Sequence, residues 1–249
     1  MAMPRRAFIP LLILGSLVAF SSFNFASSKP EKNATVVDQG TLAIFQNGQR
    51  VASETFVIRQ FPGFNTTTSE LHDETGSAGK IEQSSELSLT SDGSLSSYTW
   101  KQLSPTRSSA TVEPSGDQVL TMRSQSDGKS QEQTFLLNRS TFVLDDYFFS
   151  TREVLLWRYL ASSCQSRPSG DGCDLVKARF PILIPHRRTS NQVFIEFKGF
   201  EDMPMNGRPQ RLRHFVISSD EPEWHLWLDA NQKLVRIAIP AAGTEILRQ

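Results

Sequence analysis

Beyond residue 40 the chain alternates hydrophobic and polar positions with a period of two, the repeat of a strand that covers one face and wets the other. Leu42 and Ile44 alternate with Thr41 and Ala43. Asn47-Gly48 then offers two residues that adopt positive φ readily, as a type I′ turn requires, and 51–61 returns as a second strand. Ile81, Leu87 and Leu89 share one face of 80–90, with Glu82, Ser84, Glu86 and Ser88 on the other. Turn signals at 91–93, 114–116 and 126–129 divide the stretch up to 137 into further strands, the pattern of an antiparallel meander. After residue 174 the alternation resumes in 175–185, 191–200, 210–219, 223–229 and 233–240, and Pro181 places the first of these near a sheet edge.

One segment has a different period. Asp145-Asp146 precede 147–161, where Phe148, Leu155, Leu156, Tyr159 and Leu160 form a broad apolar face broken by Arg152, Glu153 and Arg158. The spacing predicts a helix over about 146–161, with Asp145 or Asp146 capping its first N–H groups. A helix apolar over most of its girth needs a cover, which the concave side of a curved sheet supplies. The predicted fold class is therefore mainly β (α+β): a curved antiparallel sheet or half-barrel wrapping one main helix. Residues 40–249 read as a single domain because no Pro/Gly-rich linker divides them.

Composition changes this picture at two points. Residues 65–134 contain only the aromatics Tyr98 and Trp100, whereas 135–228 hold 14 of the 24. The N-terminal strands thus carry a thin, Ser/Thr-rich inner side, and the space between them and the helix is expected to be unevenly filled. Tyr147, Phe148, Trp157, Tyr159, Trp224 and Trp227 are candidates to line an apolar ligand groove there, the alternative being ordinary core. The balance of 26 Lys+Arg against 26 Asp+Glu, with a pI near 6.9, supplies no basic stripe for nucleic acid, and none is expected as a partner.

Residues 1–28 have the order of an export signal: Arg5-Arg6, an apolar run over 7–20, then small polar residues. Residues 7–26 number just enough to span about 30 Å of hydrocarbon, so a cleaved signal peptide and a retained N-terminal membrane anchor both stay open. Either way the protein is expected to be exported, periplasmic or secreted, touching the membrane only through this segment. Residues 29–39 form a polar lead-in. In that oxidising compartment Cys164 and Cys173, flanking a loop of turn-forming residues, are expected to form a disulfide.

Catalytic patterns are missing from the sequence. No Gly-x-Ser-x-Gly, HExxH, CxxC or Gly-rich phosphate loop occurs, and no metal or cofactor is expected. His72, His186, His214 and His225 are scattered, although His214 and His225 fall on neighbouring predicted strands and can meet across a hairpin. Arg187, Arg188, Arg211 and Arg213 are candidates for an anion clamp, the alternative being a solvated face and loop.

The stretch 40–56 (GTLAIFQNGQRVASETF) and the closing strand pair 224–240 (WHLWLDANQKLVRIAIP) resemble uncharacterised secreted β-rich bacterial envelope proteins. Their layout is similar to that of the outer-membrane lipoprotein carriers, in which a curved sheet wraps a helix. The resemblance implies an apolar groove and no catalytic residues. The expected function is that of a non-enzymatic envelope protein binding an apolar or amphipathic, lipid-like ligand between sheet and helix. A protein-interaction or structural module of the envelope, with its partner unknown, and an enzyme of unrecognised type are the alternatives.

Overall fold

The structure, a computed structural model, describes residues 34–75, 82–167, 170–173, 175–205 and 207–249; at 164–167, 170–173 and 205 it describes the backbone. The expected signal or anchor at 1–28 and the beginning of the lead-in lie outside these residues.

The turn residues set the first half of the fold. Asn47 and Gly48 sit at φ 50° and 80°, and Asp127 and Gly128 at 50° and 73°, the left-handed pairs that bring a twisted strand straight back on itself. Eight strands follow in hairpin succession: β1 (Thr35–Gln46), β2 (Gln49–Phe61), β3 (Phe64–Asp73), β4 (Glu82–Thr90), β5 (Leu95–Ser104), β6 (Ser108–Gly116), β7 (Val119–Ser126) and β8 (Lys129–Phe135). A two-residue strand β9 (Phe142–Val143) leads to the helix α1 (Ser150–Ser163) and then to a small hairpin of its own, β10 (Cys164–Arg167) with β11 (Gly170–Cys173). Six strands complete the chain: β12 (Ala178–Ile184), β13 (Thr189–Met205), β14 (Arg208–Ser218), β15 (Trp224–Leu228), β16 (Leu234–Ile239) and β17 (Thr244–Arg248).

All but β10 and β11 join one sheet, in the order β8-β7-β6-β5-β4-β3-β2-β1-β17-β16-β15-β14-β13-β12-β9. Two meanders are thus stitched together where β1 pairs antiparallel with β17, Ile44 opposite Ile246. The outermost strands β8 and β9 are joined by residues 136–141, a linker that spans at most about 25 Å. Ends so far apart in strand order and so close in space require a sheet curled nearly onto itself. Register shifts within the β1–β2, β4–β5, β6–β7, β13–β14 and β15–β16 pairs increase the local twist that curls it. The barrel-like sheet stays unclosed. Across the opening, Arg188 in the β12–β13 turn reaches Gln131 on β8 and Ser124 on β7 (3.2 Å), and Gln133 donates to the Arg188 carbonyl (3.4 Å).

The concave face carries the core. Leu42, Phe56, Leu87, Tyr98, Val112, Ile195, Phe215, Leu226 and Ile237 are buried on it, and α1 inserts Leu155, Leu156, Tyr159 and Leu160. The sequence expectation lacked β3 and β17 and ended β13 at residue 200, and two starts also differ. β1 begins at Thr35, inside the expected lead-in: Val36 and Val37 stay exposed there, and the strand is held by pairing with β2 and by Asp38, which Arg248 and Lys233 clamp. The helix begins at Ser150, four residues later than predicted, because the aspartates expected to cap it are used elsewhere.

Candidate binding site at the start of the helix

β2 directs Glu54, Phe56 and Ile58 inward, and β3 directs Ser69 and Leu71 inward beside them. The small inner side chains of these Ser/Thr-rich strands make room for the first turn of α1. Glu54, fully buried, accepts the backbone N–H groups of Phe149 (2.6 Å) and Ser150 (3.2 Å), while the Ser69 and Ser150 hydroxyls bond each other at 2.8 Å. Burial pushes the Glu54 carboxyl up, against these hydrogen bonds. The cap of the helix therefore comes from β2, not from Asp145 or Asp146.

Asp145, also fully buried, is the centre of a second group. Its Oδ2 accepts the Tyr98 hydroxyl (2.5 Å) and lies 2.8 Å from His186 Nδ1, and its Oδ1 accepts the Tyr147 N–H (2.9 Å). Burial, and then Asp145, push the Tyr98 hydroxyl well above its ordinary range. Trp100 and Tyr147 flank the imidazole edge-on at 4.2 and 4.5 Å between ring centres, and His186 Nε2 is buried with no partner among the described residues. Asp146 instead faces the surface, where Arg187 grips both its oxygens (2.7 and 2.8 Å) and reaches Glu221.

Arg152, one turn into the helix, is 1% exposed. Its Nη1 donates to the carbonyls of Asp145 and Phe148, and the guanidinium lies over the rings of Trp224 (4.5 Å) and Phe149 (5.3 Å). Burial brings Arg152 down to about 10, so it remains a cation at neutral pH. Its Nε is buried without a partner among the described residues. Arg152 lines a small space between α1 and the sheet whose walls are Leu144, Ile182, Ile184, Val193, Ile217 and Trp224, with Asp146 and Glu221 at its rim. The room is about 30 Å³, sufficient for about two water-sized occupants.

The six aromatics singled out from the sequence are not gathered around one space. Trp224 lines this cavity; Phe148 and Tyr159 are fully buried core, the Tyr159 hydroxyl donating to the Val176 carbonyl (3.0 Å). Trp157 donates to the Gln232 carbonyl (2.7 Å), and Tyr147 is 42% exposed. Trp227, alternating with the inward Leu226 and Leu228, lies on the outer face, packed with Leu212 and Val235 and stacked on His214 (4.7 Å between ring centres). His214 and His225 do meet there, Nε2 to Nδ1 at 3.0 Å. The four arginines divide into two pairs. Arg187 and Arg188 sit at the start of β13, whereas Arg211 and Arg213 pair with Asp202 and Phe200 near its far end, about 35 Å along the strand. Arg152 and Glu54, which sequence reasoning passed over as breaks in an apolar helix face and as an ordinary strand residue, are the buried charges that organise this region. One signal was available: Glu54 precedes Phe56 and Ile58 in the inward phase of its strand, an acid where the alternation asks for an apolar side chain.

A search of solved structures finds the crystal structure of a β-barrel-like protein of DUF1849, a domain of unknown function, from Brucella abortus. The two are 9% identical, with a TM-score of 0.52 over 86% of this chain and 97% of that one. A DUF1089 family protein from Pseudomonas aeruginosa is 10% identical, with a TM-score of 0.44 over 78% and 91% of the two chains. No family model matches the chain, and no curated protein matches it. The first similarity shows a shared barrel-like β fold.

Proposed function

We propose that this chain is an exported, non-enzymatic β-rich protein that binds a small apolar or amphipathic ligand where the start of the helix meets the sheet. The observation that carries the reading is Arg152: a buried guanidinium with an unpartnered Nε, on a space walled by aliphatic side chains and Trp224. Leaving a buried charged donor unpaired costs about 1–3 kcal/mol, a cost that a bound acceptor removes. Protein isolated without detergent and sprayed intact into a mass spectrometer should carry a small adduct that is lost in Val193→Phe, which fills the space. A mass matching the bare chain, together with Trp224 fluorescence unmoved by hydrophobic ligands, would refute the reading.

The exported compartment has its own test. In the β10–β11 hairpin Cys164 stands directly opposite Cys173. Directly opposed residues of an antiparallel pair have Cα atoms about 4.5–5.5 Å apart, within the range that a disulfide bridges. The side chains of both cysteines lie outside the described ones, so the bond is part of the proposal. Both thiols should resist alkylation until a reductant is added, and free reaction in protein taken directly from the envelope would count against export to an oxidising compartment.

A further inference from the structure

The cavity at Arg152 constrains the chemistry of what it takes, and an inference about that chemistry rests on the binding reading above. We infer that the group presented to Arg152 is a neutral carbonyl on a short branched aliphatic body, and not an acid. The room of about 30 Å³ admits only a small group, whose aliphatic part would lie against Ile182, Ile184, Val193 and Ile217.

The charges around the cavity select the end group. Two guanidiniums are present, Arg152 at the base and Arg187 over the rim. Against them stand the carboxyl groups of Asp145, Asp146 and Glu221, with Glu54 behind the helix start. An entering carboxylate would add a further negative charge beside Asp146 and Glu221, and it would shed its water to do so. A plain hydrocarbon would fill the walls and leave the Arg152 Nε–H orphaned. A carbonyl oxygen accepts that N–H and adds no charge.

Access runs past Arg187. Its pairs with Asp146 and Glu221, both on the rim, are partly exposed, with the Arg187 side chain 41% accessible. Such surface pairs contribute little to stability, so Arg187 is a latch that opens without unfolding anything.

The test is a titration of the full chain, ¹³C-labelled at its isoleucine δ1 methyls, with three probes of matched shape: 3-methyl-2-butanone, isobutyrate and isopentane. The ketone should shift Ile182, Ile184 and Ile217 saturably, with isobutyrate and isopentane each at least tenfold weaker. Arg187→Gln should accelerate exchange of the ketone by several-fold without moving the methyls in the unliganded protein. Isobutyrate binding as tightly as the ketone would overturn the neutral-carbonyl inference while leaving the binding reading intact. Equal binding of all three probes would do the same, by removing any role for Arg152. No shift with any probe, and one ordered water on Arg152 Nε in a crystal, would sink both.

Discussion

Glu54→Ala is expected to lower the unfolding free energy by about 4 kcal/mol, the largest effect of any single substitution proposed for this protein. The carboxyl group accepts two backbone N–H groups from the first turn of α1, at the positive end of the helix dipole. Alanine leaves both donors buried and unpaired and opens a hole between Leu42 and Leu71, the residues directly opposite it on β1 and β3. Set against a typical stability of about 5–15 kcal/mol, that loss brings the fold close to its limit. Glu54→Gln, which keeps one acceptor, should cost about half as much. Urea unfolding followed by circular dichroism separates the two, and a loss below about 1 kcal/mol for the alanine variant would show that another group caps the helix.

The second large effect depends on pH. Glu153 on α1 is fully buried, 3.6 Å from Arg248, and neither of its carboxyl oxygens has a hydrogen-bond partner among the described residues. Burial, and then Asp38, raise the Glu153 carboxyl from an ordinary 4.5 to about 9. Burial acts to raise Asp38 too, yet Arg248 and Lys233 hold it at about 2. Across the neutral range Glu153 therefore keeps its proton while Asp38 is ionised. The folded chain keeps the Glu153 proton between about pH 4.5 and 9 where the unfolded chain releases it, so the stabilisation is full below 4.5 and declines as pH rises through this window. Asp38 acts in the opposite sense, losing its contribution as pH falls from 3.8 towards 2. Glu153→Gln keeps the shape of the protonated side chain and cannot titrate. Relative to the wild type it should gain stability steadily from pH 5 to pH 9, by on the order of 4 kcal/mol in all. Parallel stability curves for the two proteins across that range would show that Glu153 is ionised in the folded state.

Both effects arise from groups whose importance was hidden in the linear sequence. Glu54 lies 95 residues before the N–H group it caps, and Asp38 lies 210 residues before Arg248. Asp145-Asp146 stood at the right spacing to cap the helix, and they lost that role to competition in three dimensions. Tyr98 and His186 claim Asp145 and Arg187 claims Asp146, so the helix starts four residues later. The thin inner face of β3 takes in Ser69 and the start of the helix, a use that the uneven distribution of aromatics did not reveal.

Short-range features were determined by the sequence alone. The turns at Asn47-Gly48 and Asp127-Gly128, the two-residue alternation of the strands and the helix between them are specified by residues only a few positions apart, whose steric and burial preferences do not wait for the rest of the chain. Tertiary structure alone decided the pairing of β1 with β17, the curl that brings β8 near β9, the capping of α1 by β2, and the burial of Arg152 against Trp224. Each of these depends on which distant polar partner reaches a buried group first. A carboxylate or guanidinium carries no periodic mark of the partner that will satisfy it, and that partner is fixed only once the sheet has curled around the helix.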